Sequence, residues 1–208
     1  MIPLFVDCSG KRIVIFGGGE VASRKAEYFS SEAKVLVVSR SFSHKMSLLP
    51  VERQMMDAAR VSDEMLEGII DGAFLVIGAF SDADQNNRIK DLCTAQGILF
   101  NNADGKPGDV IIPSVTGGKN YVLAISTKGS SPAVARFIRE YLETQLPSLD
   151  EMVAFQSDLR AQLKQSEPSV SRRNAILREV LHDPMVWKTL VRDIFRARQY
   201  VQEKYLHE

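Results

Sequence analysis

Cysteine is scarce in this chain. Cys8 and Cys93 are too few for a disulfide framework, and two reduced thiols in the cytosol are expected. Histidine gives no metal signature either. His44, His182 and His207 form no short-range pair with one another or with cysteine, so no protein-held metal is expected. Charge of one sign is not in excess. The 26 basic and 26 acidic residues cancel, which argues against a nucleic-acid partner and against a polybasic membrane surface. No apolar run approaches the length of a bilayer span, so no membrane partner is expected. The opening Met1-Ile2-Pro3-Leu4-Phe5-Val6-Asp7 lacks a charged leader and a long apolar stretch, which points to a cytoplasmic protein. Internal repeats and low-complexity segments are missing too.

What the chain has is apolar mass and a glycine cluster. At 208 residues and 45% apolar it can bury a proper core, as one large domain or an ordinary one with an appendage. Gly17-Gly18-Gly19 follows the run Ile13-Val14-Ile15-Phe16 and precedes the helix-like Val21-Ala22-Ser23-Arg24-Lys25-Ala26. Gly17, Gly19 and Ala22 fit the G-x-G-x-x-A dinucleotide fingerprint. The first glycine permits a tight turn, the second lets a pyrophosphate approach the backbone, and Ala22 lets the helix pack closely on the strand. Free N–H groups at the helix start, from Glu20 onward, then face the phosphates.

Strand and helix signals alternate through the first half. Strands are expected at Lys11–Phe16, Lys34–Val38, Arg53–Met56, Phe74–Ala79 and Ile98–Phe100. Helices are expected at Val21–Ser31, from a cap at Ser62-Asp63-Glu64 to near Gly68, and at Asp82–Gln96 closed by Gly97. This order argues for an α/β doubly wound parallel sheet. The pattern changes near Asp109. Val110–Pro113 and Tyr121–Ser126 look like an antiparallel hairpin around Gly117-Gly118. A helix follows with Ser131 as N-cap and Pro132 at its first position, carrying Val134, Ile138, Tyr141 and Leu142 on one face. Beyond Leu149 two or three amphipathic helices are expected, broken near Pro168 and Pro184. Val186, Leu190, Ile194 and Val201 form one stripe of the last.

Several blocks together resemble the precorrin-2 dehydrogenase/sirohydrochlorin chelatase family, the N-terminal type of sirohaem synthase. They are Pro3-Leu4-Phe5, Gly17-Gly18-Gly19-Glu20-Val21-Ala22-x-Arg24-Lys25-Ala26, Phe100-Asn101-Asn102-Ala103-Asp104, Ile112-Pro113-Ser114, and Ile125-Ser126-Thr127-x-Gly129-x-Ser131-Pro132 with Ala133, Arg136, Arg139 and Glu140. They keep their order over roughly residues 1–146, and the helical remainder carries no motif. The resemblance implies a Rossmann-type parallel sheet domain over 1–112, a small α+β dimerisation hairpin–helix segment over 113–147 and a helical domain over 148–208. It implies NAD-dependent oxidation of precorrin-2, or a related tetrapyrrole, to sirohydrochlorin, carried out by a homodimer with Asp104 as the important acid. Some members also insert iron to give sirohaem; others only dehydrogenate.

The residues themselves bear on that chemistry. The oxidation removes a hydride and then protons, so the protein must orient two rings and can accept a proton. Asp104 follows a strand of the expected sheet, where ligands of such sheets bind. By itself Asp104-Gly105 also reads as a plain turn. Gly78-Ala79-Phe80-Ser81-Asp82 follows another strand, and small residues there let a dinucleotide pass; a helix capped by Asp82 is compatible. An NAD site commonly places an acid about 20 residues beyond the glycines. Here that region reads Val38-Ser39-Arg40-Ser41, which suits a 2′-phosphate, so NADP stays open beside NAD; Arg40 stacking on adenine or facing solvent is the other reading. A carboxylate-rich substrate calls for a cationic rim. Lys106, Lys119, Lys128, Arg136 and Arg139 are candidates, although each also reads as a solvated charge. The motif matches support the loop Gly129, Ser130 and Ser131 and Arg136 as substrate contacts; Ser114 and Lys128 are expected beside them. Gly129-Ser130-Ser131 opens a helix whose N–H groups suit a carboxylate. Met46, Met55, Met56 and Met65 read as core filling. Arg172-Arg173 with Arg178 reads as a helix face.

Two further functions compete. One is metal insertion, of ferrous or cobalt ion, in which the macrocycle supplies the nitrogen ligands. The other is a dinucleotide-sensing regulatory module without catalysis, which needs the glycine motif but neither Asp104 nor the Gly129–Pro132 block.

Overall fold

A computed structural model describes residues 1–103 and 108–206. Cα proximity groups the chain into two compact units, Met1–Ile112 and Pro113–Glu208.

The first unit is built on five short parallel strands: β1 (Arg12–Phe16), β2 (Lys34–Ser39), β3 (Glu52–Met55), β4 (Leu75–Gly78) and β5 (Leu99–Asn102). Their order is β3-β2-β1-β4-β5. Val14 lies opposite Leu36 on one side and Val76 on the other. Because side chains alternate across a strand, the sheet feeds two cores. Val14, Phe16, Leu36, Val38, Val76 and Phe100 pack under α3 (Asp63–Ile70) and α4 (Ala83–Gln96). Ile13, Ile15, Val35, Val37 and Ile77 pack against Ala22 and Ala26 of α1 (Glu20–Ser30) and Met46 of α2 (His44–Ser47). Full burial of each such aliphatic side chain is worth about 1.5–3 kcal/mol. The near-continuous apolar strands follow from this double burial. α4 begins where Asp82 accepts the N–H of Asp84 at 2.9 Å and ends at Gly97. α3 runs past Gly68 to Ile70, because Leu66, Ile69 and Ile70 are one buried face and extension buries two more of them.

The second unit begins with an antiparallel hairpin, β6 (Ser114–Gly117) and β7 (Val122–Ile125), with Ser114 opposite Ile125. This corrects the strand expected at Val110–Pro113. Val110 and Ile112 instead cover the flank of the parallel sheet. The backbone at Val110 is tied by Asn101 Nδ2 donating to Val110 O at 2.7 Å and by Val110 N–H donating to Phe100 O. At Val110 these bonds stand in for a ladder partner. α5 (Pro132–Gln145) packs on both hairpin strands. Ser131 caps it by accepting the N–H of Val134 at 3.3 Å.

Four helices follow: α6 (Leu149–Ser166), α7 (Val170–His182), α8 (Pro184–Leu190) and α9 (Ile194–Val201), with a π turn over Gln202–Leu206. They enclose Met152, Phe155, Leu163, Ile176, Val180 and Val201. The expected last helix is therefore two. Val186 and Leu190 lie on α8, Ile194 and Val201 on α9. Asp193 starts the second by accepting the N–H groups of Phe195 and Arg196 at 2.9 and 3.3 Å. All four apolar residues still face one core.

Candidate active site

In the first unit the glycine turn joins β1 to α1. Gly17 has φ +125°, and its N–H donates to Val38 O at 2.9 Å. A Cβ there would lie 2.6 Å from Ala79 O, so both backbone angle and space demand glycine. A Cβ on Gly18 would run into Ser41 O and lie 2.9 Å from Ser39 Oγ. Gly19 differs: a Cβ there would meet nothing within 4 Å. It is the N-cap of α1, extended and with no side chain to cap it. Ser23 N–H donates to Gly19 O at 2.9 Å, so the N–H groups of Glu20, Val21 and Ala22 lie ahead of that first helical bond. The turn is thus closed toward the protein at Gly17 and Gly18 and open at Gly19, which suits a pyrophosphate held by backbone donors.

Two neighbouring strand ends extend this edge. Ala79 N–H donates to Phe16 O at 2.8 Å, which places Ala79 beside the glycine turn. Phe80 is fixed by a residue that the sequence does not advertise. Asn86, fully buried on α4, accepts the Phe80 N–H at 3.1 Å and donates to Phe80 O at 3.0 Å. An asparagine inside an otherwise polar helix gives no local hint of that role. Arg40 and Ser41 follow β2, with the Arg40 guanidinium exposed to solvent. The residues expected at a cofactor, Gly17–Ala22, Arg40–Ser41 and Ala79–Phe80, thus line one carboxyl edge of the sheet.

β5 ends at Asn102, and Ala103 N–H donates to Gly78 O at 2.9 Å. Asp104 and Lys106 lie outside the described residues. Just before them, Asn101 is buried and its Oδ1 has no partner. The thiols are poor nucleophiles. Burial, then the nearby Asp109 carboxylate, pushes Cys93 up to about 12, and burial raises Cys8 as well. Among the described residues no cluster of three or more His, Cys, Asp or Glu could hold a metal ion, and no helix is long and apolar enough to cross a membrane.

The residues expected at the substrate fall in the second unit. Ser114 starts β6. Lys128 and Gly129 carry φ of +55° and +84° just before α5. The left-handed lysine is an uncommon backbone state. Side-chain bonds fix the loop: Thr127 Oγ1 accepts the Ser131 N–H and donates to Ser131 O, both at 3.0 Å, and Ser126 Oγ accepts the Lys128 N–H at 3.1 Å. Lys128, Gly129 and Ser130 stay exposed. Arg136, one turn on, donates to Glu140 Oε1 at 2.7 Å. That bond and the charge of Glu140 raise the Arg136 pKa; the same bond, with the Arg136 and Arg139 charges, lowers that of Glu140. Ser130 N–H donates to Thr127 O at 3.0 Å, so among the described residues the loop offers only the Gly129 N–H and the exposed Lys128 side chain, while Arg136 arrives already paired.

Comparison with known proteins adds three findings. Residues 4–114 match a family model described as putative NAD(P)-binding. A precorrin-2 dehydrogenase from Methanosarcina barkeri is 41% identical over 191 residues, covering 89% of this chain and 85% of that protein. Siroheme synthases are more distant: one from Enterobacter is 28% identical across the whole chain, and one from Yersinia pestis is 34% identical over 83% of it. The chain spans 45% and 36% of their lengths. Among solved structures, SirC, a precorrin-2 dehydrogenase, shares the fold with a TM-score of 0.72 at 23% identity, covering 98% of each chain.

Proposed function

The chain belongs to the precorrin-2 dehydrogenase family, and on that premise we propose that it oxidises precorrin-2 to sirohydrochlorin with NAD. The observation that carries this reading is the glycine turn, closed at Gly17 and Gly18 and open at Gly19, in a chain so similar to a named dehydrogenase. When bound, NAD supplies the hydride acceptor. The N–H groups of Glu20, Val21 and Ala22 hold its pyrophosphate, and Ala79 and Phe80, fixed by Asn86, line its path. Arg40 and Ser41 sit at the adenosine end. The substrate gives up a hydride and a proton. Asp104, on the segment after β5, takes that proton at a carboxylate oxygen. Lys128 and the Gly129 N–H bind carboxylates of the tetrapyrrole, with Ser114, the Ser130 and Ser131 hydroxyls and Arg136 as further polar contacts.

The protein works as a homodimer. The support is the outward face of α5, where Phe137 is 65% and Tyr141 54% exposed beside Val134 and Ile138. Such an apolar stripe marks an interaction surface. The domain limits 1–112, 113–147 and 148–208 follow from the same reading, with the hairpin and α5 as the pairing segment. The cytoplasm is the compartment, supported by two unpaired cysteines, one of them buried. Ferrous or cobalt ion enters only as a second substrate. A sensor without catalysis is not favoured by the similarity to a named enzyme.

Anaerobic incubation with precorrin-2 and NAD tests this. Sirohydrochlorin and NADH should appear in equal amounts. Substrate left unchanged, with NAD bound, would overturn the reading in favour of a sensor. A parallel run with ferrous or cobalt ion separates a dehydrogenase that also inserts metal from one that does not.

A further inference from the structure

Beside Arg40, the carboxyl ends of β2 and β3 carry two charges that the proposed function does not use, Asp57 and Arg60. Dinucleotide folds that select NAD commonly set an acid at the end of β2, against the ribose hydroxyls. Here β2 ends at Ser39 and runs on into Arg40-Ser41, and none of the three is an acid. The neighbouring strand supplies one. β2 and β3 pair with Ser39 opposite Met55, and Met56 N–H donates to Ser39 O at 2.9 Å. The next residue is Asp57. Its Oδ2 lies 4.0 Å from Arg40 Nη1 and 3.3 Å from Arg60 Nε. Its Oδ1 accepts the N–H of Ala59 at 3.2 Å and so caps a 3₁₀ turn over Ala58–Arg60.

That turn is anchored from below. Arg88 on α4 donates to Ala58 O at 2.9 Å and to Val61 O at 2.7 Å. The carboxylate is therefore fixed, with its side chain 26% exposed, while the side chains of Arg40 and Arg60 are 77% and 85% exposed. Ser39 and Ser41, on either side of Arg40, are the residues against which Gly18 packs. The three charges thus adjoin the glycine turn, on the adenosine side of the expected cofactor.

We propose that Asp57 is the residue that selects NAD over NADP. The proposal rests on the cofactor reading above. A fixed carboxylate accepts hydrogen bonds from a ribose 2′-hydroxyl and repels a 2′-phosphate. It also draws on Arg40 and Arg60, which without it would form a two-arginine phosphate clamp. The acid missing from β2 is thereby supplied by β3, and Arg40 alone does not make an NADP site.

Calorimetric titration of the full-length protein with NAD+ and with NADP+ tests this without turnover. Asp57→Asn and Asp57→Ser both keep an acceptor for the Ala59 cap, and melting curves report whether each folds. Removing the charge should tighten NADP+ by about tenfold and weaken NAD+ a few-fold, as expected for one charge at a partly exposed site. Adding Arg40→Ala to Asp57→Asn should abolish the gain for NADP+. A folded Asp57→Asn with the wild-type ratio of affinities would overturn the proposal and leave the cofactor reading standing. A wild type that prefers NADP+ would overturn it too. A wild type that binds neither dinucleotide would remove the cofactor reading, and the proposal with it.

Discussion

The two compact units present their polar groups in opposite ways. In Met1–Ile112 the donors that matter are main-chain N–H groups, freed by a helix that starts on a bare glycine. In Pro113–Glu208 a buried polar cluster is made of side chains gathered from distant positions. Asp183, only 8% exposed, caps α8 through Met185 N–H at 2.8 Å. Its Oδ2 accepts from Tyr200, Lys204 and Tyr205, each at 2.9 Å. Burial alone would raise this carboxyl. The bonds from Lys204, Met185, Tyr205 and Tyr200 overcome that and hold it well below the usual carboxylate range. The first arrangement leaves donors open for a ligand; the second consumes its polar groups and locks the C-terminal turn onto the bundle.

If the first unit holds chemistry and not merely a nucleotide, Asp104 should separate the two roles. Asp104→Asn should fold and bind NAD+ as wild type does, yet lose roughly 100- to 10,000-fold in kcat. A loss confined to KM would make Asp104 a substrate anchor, and near-wild-type kinetics would remove it from the site.

The outward face of α5 sharpens the contrast from the other side, since it is apolar, exposed and not consumed by its own unit. Replacing Phe137 and Tyr141 together by Glu should weaken the proposed self-association by about 100-fold, with the monomer helix content intact. Sedimentation velocity would read this. A wild type that is monomeric at micromolar concentration would contradict the assignment of that face.

The Asp183 cluster should matter for stability alone. Asp183→Asn should cost about 1–3 kcal/mol and leave NAD+ affinity unchanged. The sign with pH follows from the lowered value. The stabilisation is complete above the unfolded carboxyl pKa of about 3.9 and is lost as pH falls through the depressed folded value. Melting curves of wild type and variant should therefore converge in strong acid. An equal gap at neutral and strongly acid pH would show that the charge contributes nothing.

Legibility in the sequence follows the same division. The glycine turn, α4 between Asp82 and Gly97, and the Ser131-Pro132 start of α5 are readable because capping and turn chemistry act over a few residues. Val110–Pro113 reads as a strand because an apolar run does not say whether it pairs or merely covers a sheet. Asn86 and Asp57 escape notice because their roles depend on Phe80 and Arg40, which only the fold brings near. Asp183 and its three partners escape for the same reason.

The central claim is that a dinucleotide rests on the backbone at Gly19, and a pair of adjacent substitutions tests it. Gly18→Val places side-chain atoms where Ser39 and Ser41 already stand and should destabilise the first unit. A Cβ on Gly19 would meet nothing within 4 Å beyond its own turn, so Gly19→Val should melt close to wild type. Calorimetric titration of NAD+ into Gly19→Val should then show affinity lower by about 100-fold or more, because the valine stands where the pyrophosphate would lie. A folded Gly19→Val that binds NAD+ as tightly as wild type would place the cofactor elsewhere and contradict the account.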